Sequence, residues 1–139
     1  MSMQKNILKV CVQQDDIDHL GHMNYMKYLV YLEKGVSNWY REIGIGREQL
    51  DQQHLGTVMV NFDVTYKKEA RVNEELTIFT ELRNVGNKSF YIYQEIYNEN
   101  QELLTTCKKT FVMFNTITRQ GVPVVKEITE LVNKENYNN

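Results

Sequence analysis

The chain has few of the residues that punctuate, staple or anchor a polypeptide. One proline, Pro123, stands among its 139 residues, so no proline-rich linker divides it. Its two cysteines, Cys11 and Cys107, form no CxxC and stand at no finger spacing with a histidine. That sets aside a disulfide scaffold and a structural zinc site, and both thiols are expected to be reduced core residues. No apolar run approaches the roughly 18 residues of a membrane span, and Met1–Asn6 lacks the apolar core of a secretory signal. The expectation is a cytoplasmic protein with no membrane partner. Sixteen basic against 18 acidic residues give a net charge of −2, which offers nucleic acid no global attraction. A local basic cluster can still hold the phosphates of a small molecule.

The remaining composition, 42% hydrophobic and 24% charged, is that of an ordinary globular protein. A chain of this length buries roughly two-thirds of its unfolded surface. With no internal repeat, low-complexity block or linker, residues 1–139 read as one domain.

Residues 7–13 alternate like a strand. From Asn24 to Ile43 the period lengthens, with Tyr25, Tyr28, Leu29, Leu32, Val36, Trp39 and Ile43 at three- and four-residue steps. Asn24 is a candidate N-cap and Gly44 or Gly46 a stop. Four strand-like runs follow, at 57–66, 75–83, 90–97 and 103–115, with turns at Asn84–Asn87 and Asn98–Gln101. In the first run Val58, Val60, Phe62, Val64 and Tyr66 are expected to share a face. A short helix carries Ile128, Leu131 and Val132, and the Asn-rich tail after it is expected to fray. One long helix cannot bury its stripe alone. The order therefore implies an α+β fold, a curved antiparallel sheet of about five strands wrapped around one central helix.

The polar run Asp16-Ile17-Asp18-His19-Leu20-Gly21-His22-Met23-Asn24-Tyr25 joins the first strand to that helix. A carboxylate there stands beside the free N–H groups and positive pole of a helix N-terminus, a layout suited to cleaving an acyl bond. Asp18, His22 and Asn24 are the candidates, the alternatives being an exposed acid beside a helix, a hydrogen-bonded loop histidine and a helix cap. Glu33 lies about 80° from the centre of the apolar stripe and reads from its position as a surface acid paired with Lys27 or Lys34. His19 is expected to face solvent and His54 to be incidental. Five potential metal ligands, Asp15, Asp16, Asp18, His19 and His22, fall within eight residues, yet they follow no recognised metal spacing.

The run Asp16–Leu29, followed by Tyr31-Leu32-Glu33, resembles the signature of the hotdog-fold acyl-CoA thioesterases, including the 4-hydroxybenzoyl-CoA and YbgC-like groups. The likeness continues through Tyr66-Lys67-Lys68-Glu69-Ala70-Arg71 and the hairpin Gly86–Ser89. Leu20 departs from the plant carrier-protein branch, and Lys68 to Arg71 lacks the proline frequent before Ala-Arg in this family. The resemblance implies that Asp18 is the catalytic carboxylate, as nucleophile or general base, with Asn24 beside the reacting carbonyl, His22 orienting and Glu33 secondary. It implies an oxyanion hole from N–H groups near His22 to Tyr25, and acyl contacts from Met23 and Tyr25. Lys67, Arg71, Lys88 and Ser89 are then expected to meet the nucleotide. It further implies a substrate of acyl-CoA or acyl-ACP, no separate cofactor or metal, and a homodimer or homotetramer whose sites form between subunits. Tyrosines on the 90–97 strand are expected to seek that partner. A hotdog protein that binds thioesters without turning them over is the competing reading.

Overall fold

The computed structural model describes residues 5–21 and 23–138. Strand β1 (Asn6–Cys11) and a single 3-10 turn at Gln14–Asp16 lead into helix α1 (Tyr25–Glu42). Asn24 caps α1 as its sequence predicts, its side-chain oxygen accepting the Met26 N–H at 2.8 Å. The stripe Tyr28, Leu32, Val36 and Trp39 is buried. Each such side chain contributes about 1.5–3 kcal/mol by leaving water.

A short helix α2 (Arg47–Gln52) then precedes β2 (Leu55–Tyr66), β3 (Glu75–Val85), β4 (Ser89–Tyr97), β5 (Leu103–Asn115) and helix α3 (Lys126–Asn138). The five strands form one sheet in the order β1-β3-β4-β5-β2, each pair antiparallel, so β1 and β2 are its edges. Helix α1 lies across β1, β3 and β4. Its flank is tied to β2 at both ends, by Tyr66 Oη donating to the Tyr25 carbonyl at 3.2 Å and by Tyr40 Oη with Thr57 Oγ1 at 3.2 Å.

The core divides into two apolar clusters with a polar layer between them. Ile78, Ile96, Cys107 and Leu32 belong to one cluster; Leu82, Ile92, Phe111 and Val36 belong to the other. Between the members of each pair stand Thr80 on β3, Gln94 on β4 and Lys109 on β5, all buried, and Gly35 on α1. Gln94 Nε2 donates to the Leu32 carbonyl at 2.8 Å and to Thr80 Oγ1 at 2.9 Å. Gly35 permits this close passage, since a Cβ there would lie 2.8 Å from Gln94 Nε2 and 2.8 Å from Ile78 Cγ2.

Four expectations need correction. The alternation assigned to β2 breaks at Val60, where the register shifts between Met59 and Asn61. One inserted residue reverses the parity, so Phe62, Val64 and Tyr66 face inward while Val58 and Val60 are exposed. Helix α3 runs to Asn138, past the point where a frayed tail was expected. Cys11 is exposed and only Cys107 is buried; both are free thiols. Tyr91 and Tyr93 are half-buried, their ring faces occupied by Lys108 and Arg83 at 4.2 Å.

Candidate active site

The loop between β1 and α1 is held by its own hydrogen bonds. Asp18 Oδ1 accepts the Leu20 N–H at 2.9 Å and its carbonyl accepts the Gly21 N–H at 3.1 Å, closing a tight turn. Gly21 takes φ +87°, a left-handed conformation that glycine adopts without strain, and a Cβ there would meet open space. The constraint on Gly21 is therefore conformational. Asp18 lines a pocket of about 500 Å³ that also takes in Met23, Tyr25, Tyr28, Tyr66, Lys67, Lys68 and Glu69, and its second carboxylate oxygen has no hydrogen-bond donor among the described residues. Tyr28 and Tyr66 meet edge-on at 5.3 Å and form an aromatic wall. The Tyr28 hydroxyl accepts the Ala70 N–H at 2.8 Å, and burial raises its pKa above the ordinary value.

Asp16, which the sequence reading weighs only as a potential metal ligand, is the most firmly held acid of the loop. It is 7% exposed, and its Oδ2 accepts the Gln13 N–H at 2.9 Å and the Tyr31 hydroxyl. Lys27 Nζ stands 3.7 Å from Oδ1. Burial alone would raise the Asp16 pKa, but the Tyr31, Gln13 and Lys27 donors outweigh it and leave it below the ordinary value. The Asp16 carbonyl accepts the Asn24 N–H at 3.1 Å, so the same residue fastens the helix cap. The available signal was Tyr31, one helical turn beyond Lys27 and on the flank facing this loop.

The N–H groups expected to form an oxyanion hole are largely taken. That of Met23 donates to the Ala70 carbonyl at 3.2 Å, and that of Asn24 to Asp16. The Tyr25 N–H, at the first position of α1, finds no acceptor among the described residues. His22 lies outside the described residues.

The other candidates are scattered. Glu33 pairs with neither Lys27 nor Lys34. It stands 3.6 Å from Lys109 Nζ, the lysine side chain 3% exposed and the glutamate 66%. Burial lowers the Lys109 pKa below the ordinary value. Arg71 is bound to Glu69 at 2.6 Å and Lys68 to Glu102. Lys67 has no carboxylate partner among the described residues. Ser89 begins β4, and Lys88 precedes it, at the end of the sheet opposite Asp18, because β3 runs away from the loop for eleven residues before the hairpin. Within one chain they do not join the site. His19 and His54 are exposed. Among the described residues no three His, Cys, Asp or Glu side chains converge on a metal position, and no helix is long and apolar enough to cross a membrane.

Solved structures share this architecture. A hypothetical protein from Staphylococcus aureus, solved in complex with CoA, superposes with a TM-score of 0.88 at 16% identity, over 96% of this chain and 85% of that one. A DHNA-CoA thioesterase from Staphylococcus aureus gives 0.85 at 18% identity, over 96% and 91%. A 1,4-dihydroxy-2-naphthoyl-CoA thioesterase from Synechocystis gives 0.85 at 13% identity, over 96% and 98%. No curated protein matches by sequence. At these identities the structures speak for the hotdog fold, while the family rests on a sequence model matched over residues 12–132. The chain belongs to the thioesterase-like superfamily.

Proposed function

We propose that the protein hydrolyses the thioester of an acyl-CoA, with Asp18 as its reacting carboxylate. The observation that carries this reading is the Asp18 pocket, which brings together the Asp18 carboxylate, the N-terminus of α1 and Lys67, a cation with no carboxylate partner among the described residues. In the general-base route Asp18 takes a proton from water as the oxygen adds to the thioester carbonyl, and the thiolate leaves. In the nucleophilic route Asp18 forms a mixed anhydride, expels the thiolate, and water then cleaves the anhydride. Little acid assistance is needed in either, because the departing thiol has a pKa of roughly 8.5. The developing oxyanion needs a donor instead. The Tyr25 N–H supplies one, reinforced by the helix dipole, with the Asn24 amide alongside. Lys67 meets a CoA phosphate.

The same reading makes the working unit a homodimer. Val58, Met59 and Val60 are exposed in succession on the edge strand β2, as an unpaired strand seeking a second strand would be. Antiparallel pairing of two β2 edges turns the hairpin end of one chain toward the Asp18 end of the other. Lys88 and Ser89 of the partner subunit then approach a site they cannot reach within their own chain.

Thiol release from short, long and aromatic acyl-CoAs tests the reading, with Asp18→Asn and Asp16→Asn compared. Asp18→Asn is expected to lose at least about a hundredfold in kcat with its fold intact. Asp16→Asn is expected to lose stability as well as activity. If Asp18→Asn keeps wild-type kcat while Asp16→Asn abolishes it without unfolding, the assignment of Asp18 is wrong. Tight acyl-CoA binding with no thiol release by wild type would make this a binding protein.

A further inference from the structure

The face of the sheet turned away from α1 carries a trough of about 500 Å³ that the candidate site does not use. It lies over β3, between β1 and β4. Leu76, Ile78 and Ile96 are buried in the core beneath α1, so strand parity turns Thr77, Phe79 and Tyr97 to the opposite face. Register sets Ile7, Phe79 and Glu95 side by side in one row and Lys9, Thr77 and Tyr97 in the next. Phe79 and Tyr97 meet edge-on at 5.6 Å and 86°, a right-angled aromatic corner, and Ile7 beside it is 54% exposed. Lys5 Nζ stands 5.6 Å from the centre of the Phe79 ring and meets no carboxylate among the described residues. Lys9 holds only an exposed pair with Glu75 at 3.7 Å. The turn after β4 closes the far end. Asn98, 4% exposed, fixes that turn by accepting the N–H groups of Asn100 at 3.0 Å and Glu102 at 2.9 Å. Gln101 lines the trough from this turn, and its side-chain amide has no hydrogen-bond partner among the described residues.

We infer that this trough binds a free adenine nucleotide. Each part of that ligand has its counterpart. The base stacks in the corner of Phe79 and Tyr97. The Gln101 amide donates and accepts at once, the pattern that reads adenine N7 and N6 together. The phosphate meets Lys5 and Lys9 on the β1 side. Two strand spacings, about 10 Å, separate β1 from β4, a span that a nucleoside monophosphate crosses from base to phosphate. The volume is that of a small-molecule site. An apolar ligand would leave the cations and the amide unused, and a bare phosphate would leave the aromatic corner uncovered. Glu95, the one acid lining the trough, accepts the Tyr93 hydroxyl at 3.3 Å and lies on the β4 side, away from the phosphate. The trough shares no lining residue with the Asp18 pocket, so the inference stands apart from the thioesterase reading.

Calorimetric titration of the full-length protein with AMP, adenosine and ribose 5-phosphate is the test. AMP is expected to bind saturably, at least about tenfold more tightly than either fragment, and less tightly as salt is raised. The double variant Lys5→Gln, Lys9→Gln is expected to raise the Kd for AMP about tenfold and to leave that for adenosine unchanged. Gln101→Gly removes the amide and suits the turn, because Gln101 takes φ +64°, a conformation that glycine adopts without strain. It is expected to keep its fold by circular dichroism and to weaken AMP and adenosine alike, about tenfold. AMP that binds no more tightly than ribose 5-phosphate overturns the proposal, as does a folded Gln101→Gly protein with wild-type affinity for AMP. If these variants raise the KM for acyl-CoA by the same factor, the trough holds the substrate's own nucleotide and the assignment to a free ligand is wrong. Binding that appears only as the protein dissociates in sedimentation also overturns it, since a second copy then fills the trough.

Discussion

Tyr31→Phe removes one hydroxyl and tests how the loop keeps a buried charge. The Tyr31 hydroxyl donates to Asp16 Oδ2 across the junction of β1 and α1. Burial, and after it the Asp16 carboxylate, holds the phenol above its ordinary pKa, so it remains a donor throughout the neutral range. A hydrogen bond to a charged group is worth about 1.5–3 kcal/mol, so the variant is expected to lose about 2 kcal/mol at pH 7. The loss depends on pH. In the folded wild type the Asp16 pKa lies below the ordinary value of 3.8. Its stabilising contribution is therefore complete above 3.8 and is lost as pH falls through the lower folded value. Without the hydroxyl, burial is less opposed and the folded pKa moves back up, so the gap between variant and wild type narrows in acid. Trp39, the one tryptophan and buried in the core, reports urea unfolding of both proteins. A deficit of about 2 kcal/mol at pH 7 that shrinks as the pH is lowered through the folded Asp16 value supports the argument. An equal deficit at both pH values would show that Tyr31 acts through packing, and that the charge on Asp16 is not what it stabilises.

Lys109→Met replaces a buried ammonium with an apolar side chain of similar length and is expected to leave stability within about 1 kcal/mol of wild type, or to raise it. Because the folded pKa of Lys109 is lowered, wild-type stability should rise with pH from that value toward the ordinary 10.5, and urea midpoints across alkaline pH should show this rise disappear in the variant. Val60→Lys places a charge in the β2 bulge at the exposed edge. Sedimentation should then show a monomer with wild-type secondary structure and strongly reduced thiol release, whereas an unchanged assembly would place the subunit contact elsewhere.

What the sequence revealed follows from how each element encodes itself. Helix α1 was legible because Tyr28, Leu32, Val36 and Trp39 repeat at helical spacing and Asn24 marks the start. The inward faces of β3 and β4 were legible by strict alternation. Strand β2 was misread because its bulge inserts one residue into a uniformly apolar run, Val58-Met59-Val60, where no change of composition marks the reversal. Helix α2, six residues long, is too short for a period to establish itself. In the site, Asp16 and Asp18 are the same residue type two positions apart. A 3-10 turn and a glycine turn send one under the helix and the other into the pocket, and neither fate is written in spacing. Lys109 is the instructive case. The alternation Cys107, Lys109, Phe111, Met113 already required it to point inward, so a buried cation was deducible from strand parity alone. Its partner Glu33, on α1, was not deducible, because only the packed sheet brings the two elements together. Thr80 pairs directly with Gln94, opposite Gly35, while Lys109 faces Ile92, two residues along β4 from Gln94. The polar layer is therefore a property of strand register, and register becomes visible only once the strands are paired.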